Sequence, residues 1–213
     1  MKMVISDLGD GNMRFFGDGD EQEIISNQRK LAEKLGVSRM ARVRTVYEER
    51  KDFTEYYVVT EENSQDFLID LPEEKIQVSD GLMTKMTEVG MLLPLADCLG
   101  IVIFDSVKKA IGLLHAGRHN LEQFGPQKFV QRMAKEFGCD PGDLEVHFSP
   151  CARSNYGLYK FDGKTLAEVA KEQLTEVGVT NITESLVDTT TDANFPSHSQ
   201  GDTKKRFAVA VKL

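Results

Sequence analysis

Four short apolar runs in quick succession constrain this chain more than any other feature: Gly81–Lys85, Met91–Ala96, Gly100–Phe104 and Ala110–His115. The middle two contain no polar residue. A strand with one face in water alternates apolar with polar, so an unbroken apolar strand must be covered on both faces. Helices are available for that cover. Asp20 is placed to cap a helix, with Glu23 as its capping-box partner, and Ile24, Ile25, Leu31 and Leu35 form a stripe ending at Gly36. Gln127–Phe137 carries Phe129, Val130, Met133 and Phe137 on one side and closes on Gly138, and Lys164–Val177 repeats the pattern with Leu166, Val169, Ala170, Leu174 and Val177.

Further strands are read at Ala41–Tyr47, where Val43, Thr45 and Tyr47 share a face, and at Tyr56–Thr60, Leu144–Phe148 and Arg206–Leu213. The turn cluster Gly9–Asn12 suggests a hairpin between Met3–Ser6 and Met13–Phe16, whereas Ser185–Asp202 is polar and irregular. These signals predict an α/β (α+β) class: one layered domain over residues 1–213, with a mixed β-sheet flanked by helices and no Pro/Gly-rich linker.

Charge and cysteine usage narrow the function classes. Thirty-four acidic against 26 basic residues give a net charge of -8, which repels phosphate backbones, so no nucleic-acid partner is expected. No apolar run is long enough to span a bilayer, and Met1–Gly9 has no signal-peptide core, so no membrane partner is expected either. Three cysteines, Cys98, Cys139 and Cys151, form an odd set, which argues against a disulfide framework. A reduced, cytoplasmic protein is the expectation.

The residues able to carry chemistry are densest between Ser79 and His119. Asp97 and Cys98 stand between two buried strands, and His115 ends the next one, where α/β folds place their sites. Thiolate and imidazole are the donors that zinc and copper prefer, and the same pair is a nucleophile and its base. Each also has an ordinary reading, Cys98 as a small buried hydrophobe, His115 as a hydrogen-bonded structural residue, and Asp97 as a turn cap. His119, His147 and His198 are further nitrogen donors of uncommitted role. Cys151, after Pro150, is placed to line the same cleft.

The ordered series Ser79–Thr84, Ala96-Asp97-Cys98 and His115-Ala116-Gly117 resembles the laccase-domain (YfiH-like) family. Supporting similarity comes from Gly11-Asn12-Met13 with Asn27 and Arg29, from Ser149-Pro150-Cys151 with Tyr156, and from Ser197-His198 with Arg206-Phe207-Ala208. The resemblance implies a layered α/β domain related to bacterial toxin cysteine hydrolases. It also implies a metal-dependent purine nucleoside enzyme of phosphorylase or adenosine deaminase type, formerly described as a polyphenol oxidase or laccase. Some bacterial members are linked to peptidoglycan editing. On this reading zinc (copper in the older description) is held by Cys98 and His115, the catalytic set is Asp97, Cys98 and His115, and the partners are a small nucleoside and phosphate. Arg44, Tyr47, Arg118 and Cys151 are the expected substrate-binding residues.

Departures from the family pattern are specific. Tyr47 stands where the family's first metal histidine is expected, and Arg118-His119 replaces a Trp-Arg pair. Losing one of three ligands removes much of a zinc site's affinity, unless His119 or His147 replaces it. Two alternatives therefore stay open: a non-catalytic member that binds a nucleoside or a protein, and a metal-free Cys–His hydrolase with Cys98 as nucleophile. A copper laccase fits least, because four histidines are too few for a His-rich multicopper centre.

Overall fold

The apolar runs do become strands covered on both sides, but they divide between two sheets. The computed structural model describes residues 1–15, 20–46, 52–154 and 156–213. One sheet has the strand order β1 (Lys2–Ile5), β10 (Phe207–Lys212), β5 (Val89–Leu95), β2 (Arg39–Arg42). The other has the order β3 (Tyr56–Val59), β4 (Gly81–Thr84), β7 (Ala110–Ala116), β6 (Leu99–Asp105), β8 (Leu144–Phe148), β9 (Asn181–Glu184). Both are mixed: β2 lies parallel to β5, β3 to β4 and β8 to β9, and the remaining pairs are antiparallel.

The period of two along each strand explains the layering. Met91, Leu93 and Leu95 of β5 meet Val102 and Phe104 of β6 in a core between the sheets. Leu92, with Ala208 and Ala210 of β10, points outward to α1 (Glu21–Leu35). Ile101 and Ile103 of β6 face the opposite layer, where α3 (Gly125–Phe137) and α4 (Leu166–Glu176) pack. A short helix, α2 (Arg118–Glu122), starts directly after Gly117.

Local chemistry sets the helix ends largely as expected. The Asp20 carboxylate accepts from the backbone N–H groups of Gln22 and Glu23, and Gly36 closes α1 in the left-handed conformation. Thr165 and Glu168 form a reciprocal capping box on α4.

The expected mixed-sheet architecture flanked by helices is present, as two mixed sheets. Two expectations are corrected. Among the described residues no hairpin joins Met3–Ser6 to 13–15: β1 pairs with β10 and Met13 donates to the Arg206 carbonyl, so the N-terminal segment is claimed by the C-terminal strand. The strand expected over 41–47 is instead Arg39–Arg42 with an isolated bridge at Arg44, and Tyr47 lies outside the described residues. Strand β9 was not anticipated, because its residues are exposed or only half-buried and carry no apolar run. Among the described residues, no helix is long and apolar enough to cross a membrane.

Candidate active site

Sheet register brings the reactive residues together. In the six-stranded sheet β7 lies between β4 and β6, with Leu114 opposite Gly81 and Ala116 opposite Leu99. Asp80, one residue before Gly81, and Cys98, one residue before Leu99, therefore flank His115 from either side. His115 is tied to Asp80 twice: its backbone N–H donates to the Asp80 carbonyl at 2.7 Å, and Nδ1 lies 3.0 Å from Asp80 Oδ1. With Nδ1 committed, Nε2 is left for Cys98, and the two side chains hydrogen-bond. Burial alone would keep the imidazole neutral. The Cys98 thiolate and the Asp80 carboxylate outweigh it and push the pKa up to about 10.

Gly117 permits this approach. A Cβ there would stand 3.0 Å from His115 Cε1 and 3.2 Å from Cys98 Sγ. Asp97 makes the corner at which the chain leaves β5 in one sheet for β6 in the other, with φ at 70° in the left-handed region. That conformation is held from three directions. Thr189 Oγ1 donates to Oδ1 at 2.8 Å, Ser199 N–H donates to Oδ2 at 2.7 Å, and Ala152 N–H donates to the Asp97 carbonyl at 2.8 Å. Both carboxylate oxygens are thus engaged inside the fold, which suits Asp97 to positioning the turn before Cys98.

The cleft in front of the pair has a volume of about 740 Å³. Asp97, Cys98, His115, Arg44 and Arg118 all line it, as do Arg14, Arg206, Tyr156, His198 and Ser199. The Tyr156 hydroxyl pKa is raised by burial and by the Cys98 thiolate, against the opposing pull of Arg118. His119 lines the cleft while stacking on Phe53 at 4.9 Å.

Cys151 is a correction. It is fully buried in the core beneath α3 and α4, where burial raises its thiol to about 12, and it does not line the cleft. Its backbone pairs with residues 187–189, which turns the side chain away from solvent. Asp80 carries no local signal of this role, although it lies inside the Ser79–Thr84 motif. Arg14, Arg206, Thr189 and Ser199 come from distant segments and carried no local signal.

Among the described residues, no three His, Cys, Asp or Glu side chains are grouped so that they could hold a metal ion. Cys98 and His115 supply two donors, Asp80 is on the far nitrogen of the imidazole, and His147 sits on β8 away from the cleft. Zinc sites need at least three protein ligands, so the described donor set does not fit a resident zinc ion.

Comparison with known proteins agrees with this architecture. Solved structures of the Bacillus licheniformis hypothetical protein YfiH and of YlmD from Geobacillus stearothermophilus superpose with TM-scores of 0.78 and 0.76 at 20% and 21% identity. They cover 95% and 99% of this chain and 85% and 90% of theirs, and at that identity they establish the fold. A purine nucleoside phosphorylase of Borreliella burgdorferi is 37% identical over 78 residues, 37% of this chain and 34% of that protein. Purine nucleoside phosphorylase YlmD of Bacillus subtilis is 32% identical over 76 residues, 35% of this chain and 27% of that protein. The matched stretches thus span about a third or less of these curated relatives. The family model described as multi-copper polyphenol oxidoreductase laccase matches residues 6–162, which contain β2 to β8 and the whole Asp80–Cys98–His115 cluster, and it is to this family that the chain belongs.

Proposed function

We propose that the cleft binds a purine nucleoside and inorganic phosphate and cleaves the N-glycosidic bond by phosphorolysis. The observation that carries this reading is the convergence of Arg14, Arg44, Arg118 and Arg206 on one cleft with the Cys98–His115 pair. Guanidinium forks match phosphate oxygens, and a 740 Å³ cleft has room for a nucleoside beside the anion. The names of the two curated relatives support the same reading. In the reaction a phosphate oxygen forms a bond to ribose C1′ as the C1′–N bond breaks. The electron pair leaves with the base, which takes up a proton. The arginines hold the phosphate, and the Cys98–His115 pair, fixed by Asp80 and the Asp97 corner, forms the polar end of the cleft. Deamination has no separate feature of the cleft in its favour.

The test is base release from inosine and adenosine with and without phosphate. Phosphate-dependent release, lost in Cys98→Ser and His115→Ala, is expected. Folded protein that releases no base from either nucleoside overturns the reading.

The Asp80–His115–Cys98 chain favours a second reading, a Cys–His–Asp hydrolase working through a covalent thioester. In it, Cys98 Sγ attacks a carbonyl, the leaving group departs with the proton held by His115, and water then hydrolyses the acyl-enzyme. Intact-mass detection of an acyl adduct after incubation with an activated ester, absent in Cys98→Ser, separates the two readings. Phosphate-dependent base release without any adduct counts against the hydrolase.

A further inference from the structure

We infer that the Tyr156 hydroxyl is the proton donor to the departing purine. The inference rests on the phosphorolysis reading and assigns the one proton transfer that reading requires. As the bond between C1′ and the base breaks, its electron pair passes into the imidazole ring of the purine, and a proton delivered to N7 neutralises it. The reactive pair is poorly placed to give that proton, because the two ring nitrogens of His115 are engaged by Asp80 and Cys98. Asp97 accepts through both carboxylate oxygens and has no proton to give. Tyr156 lines the same cleft, with its ring half-buried against the core beneath α3 and α4. Among the described residues its hydroxyl has no hydrogen-bond partner, so the fold leaves its proton to the cleft.

A proton donor must stand within hydrogen-bond reach of the atom it serves, and the chain fixes Tyr156 from both sides. Upstream, the Ala152 N–H donates to the Asp97 carbonyl and the Ser154 N–H to Asp188 Oδ2, each at 2.8 Å. Downstream, a Cβ on Gly157 would stand 2.7 Å from the Gly163 carbonyl oxygen, and the Leu158 N–H donates to the Lys164 carbonyl at 2.9 Å. The surroundings suit both states of the phenol. Burial, and after it the Cys98 thiolate, keep it protonated until the base departs, whereas Arg118 pulls the other way and offsets the charge of the phenolate left behind. The Tyr156 O–H bond breaks as the N7–H bond forms, and the phenolate then regains a proton from water. The ring also offers the flat apolar contact that a purine takes and a phosphate does not.

The test compares inosine with 7-methylinosine, whose N7 already carries a methyl group and a positive charge, so that its base departs without needing a proton there. Phosphate-dependent base release from both is followed in the wild type and in Tyr156→Phe, which keeps the ring and removes only the hydroxyl. The variant is expected to lose about 10²–10⁴-fold in kcat on inosine, the range that general acid catalysis supplies. Its KM for inosine and its rate on 7-methylinosine are expected to stay near those of the wild type, and the second of these also shows that the variant is folded. Equal losses on both nucleosides overturn the inference, since a hydroxyl that merely supports the cleft would slow them alike. Inosine cleaved by Tyr156→Phe at the wild-type rate overturns it as well. Either result leaves the phosphorolysis reading intact, whereas wild-type protein that releases base from neither nucleoside overturns both.

Discussion

Gly117 sets how closely Cys98 and His115 approach each other. Adding a methyl group would press on His115 Cε1 and Cys98 Sγ at 3.0 and 3.2 Å, tighter than most real contacts, so one of the two must give way. Gly117→Ala is expected to lower phosphate-dependent base release by about 10- to 100-fold, since small misplacements of reacting groups cost that much. Its unfolding midpoint should stay near that of the wild type. A variant with full activity would show that the spacing of the pair is not critical. Cys98 and His115 were legible in the sequence because both end apolar strands. Asp80 was not, since its role depends on which strand lies beside β7. Cys151 misled for a related reason. The end of a strand is visible in a sequence, but the direction of its side chain is set by pairing with residues 187–189. Thr189 and Ser199 act on Asp97 from segments with no periodicity to mark them.

Elements show the same division between local and distant information. The helices were readable because capping residues and apolar stripes are local, whereas β9 is recognisable only by its pairing with β8. How α3 seats on the sheet is also a distant matter. Phe129 is fully buried, and a Cβ on Gly112 or Gly81 would fall 2.4 or 2.6 Å from its ring. Phe129→Ala should cost about 3–5 kcal/mol in urea unfolding, and Gly112→Ala about 1–3 kcal/mol. Combining Gly112→Ala with Phe129→Leu should cost less than the sum, because the smaller side chain vacates the space the methyl needs. Strict additivity would show that the glycine and the ring are not coupled.

A second element-scale feature is Asp188, which gathers the backbone N–H groups of Arg153, Ser154 and Thr190 together with the Ser154 and Thr190 hydroxyls. Burial acts to raise its pKa, but these donors prevail and hold it well below the usual carboxylate range. A depressed folded-state pKa stabilises the fold above the ordinary carboxylate value of about 4, and that stabilisation is lost as pH falls below it. Asp188→Asn should therefore lower the melting temperature by about 3–6 °C at neutral pH. The gap to wild type should close as the pH is lowered from about 5 toward 2. A gap independent of pH would assign the effect to packing instead of charge.

At the scale of the whole molecule, the layered α/β class was legible and the number of sheets was not. Unbroken apolar runs state that strands are covered on both faces, but they do not say whether another sheet or a helix provides the cover. The division is hidden in the corner Ala96–Cys98. β10 holds the four-stranded sheet together, since it pairs with β1 on one side and β5 on the other. Deleting residues 207–213 should leave both neighbours with open edges and abolish cooperative thermal unfolding, as read by circular dichroism. A truncated chain that still melts in one transition would show that the rest of the fold is self-sufficient.

The three ties on Asp97 also give the site a place in time. During synthesis Cys98 and His115 emerge from the ribosome well before Thr189 and Ser199, so the nascent chain holds its reactive thiol on a corner with no carboxylate clamp. The left-handed turn can be locked only after the segment that carries Ser199 has been made and has folded back. The clamp therefore forms late, and an interrupted translation product that ends before residue 189 would carry Cys98 and His115 without the Thr189 and Ser199 ties on Asp97.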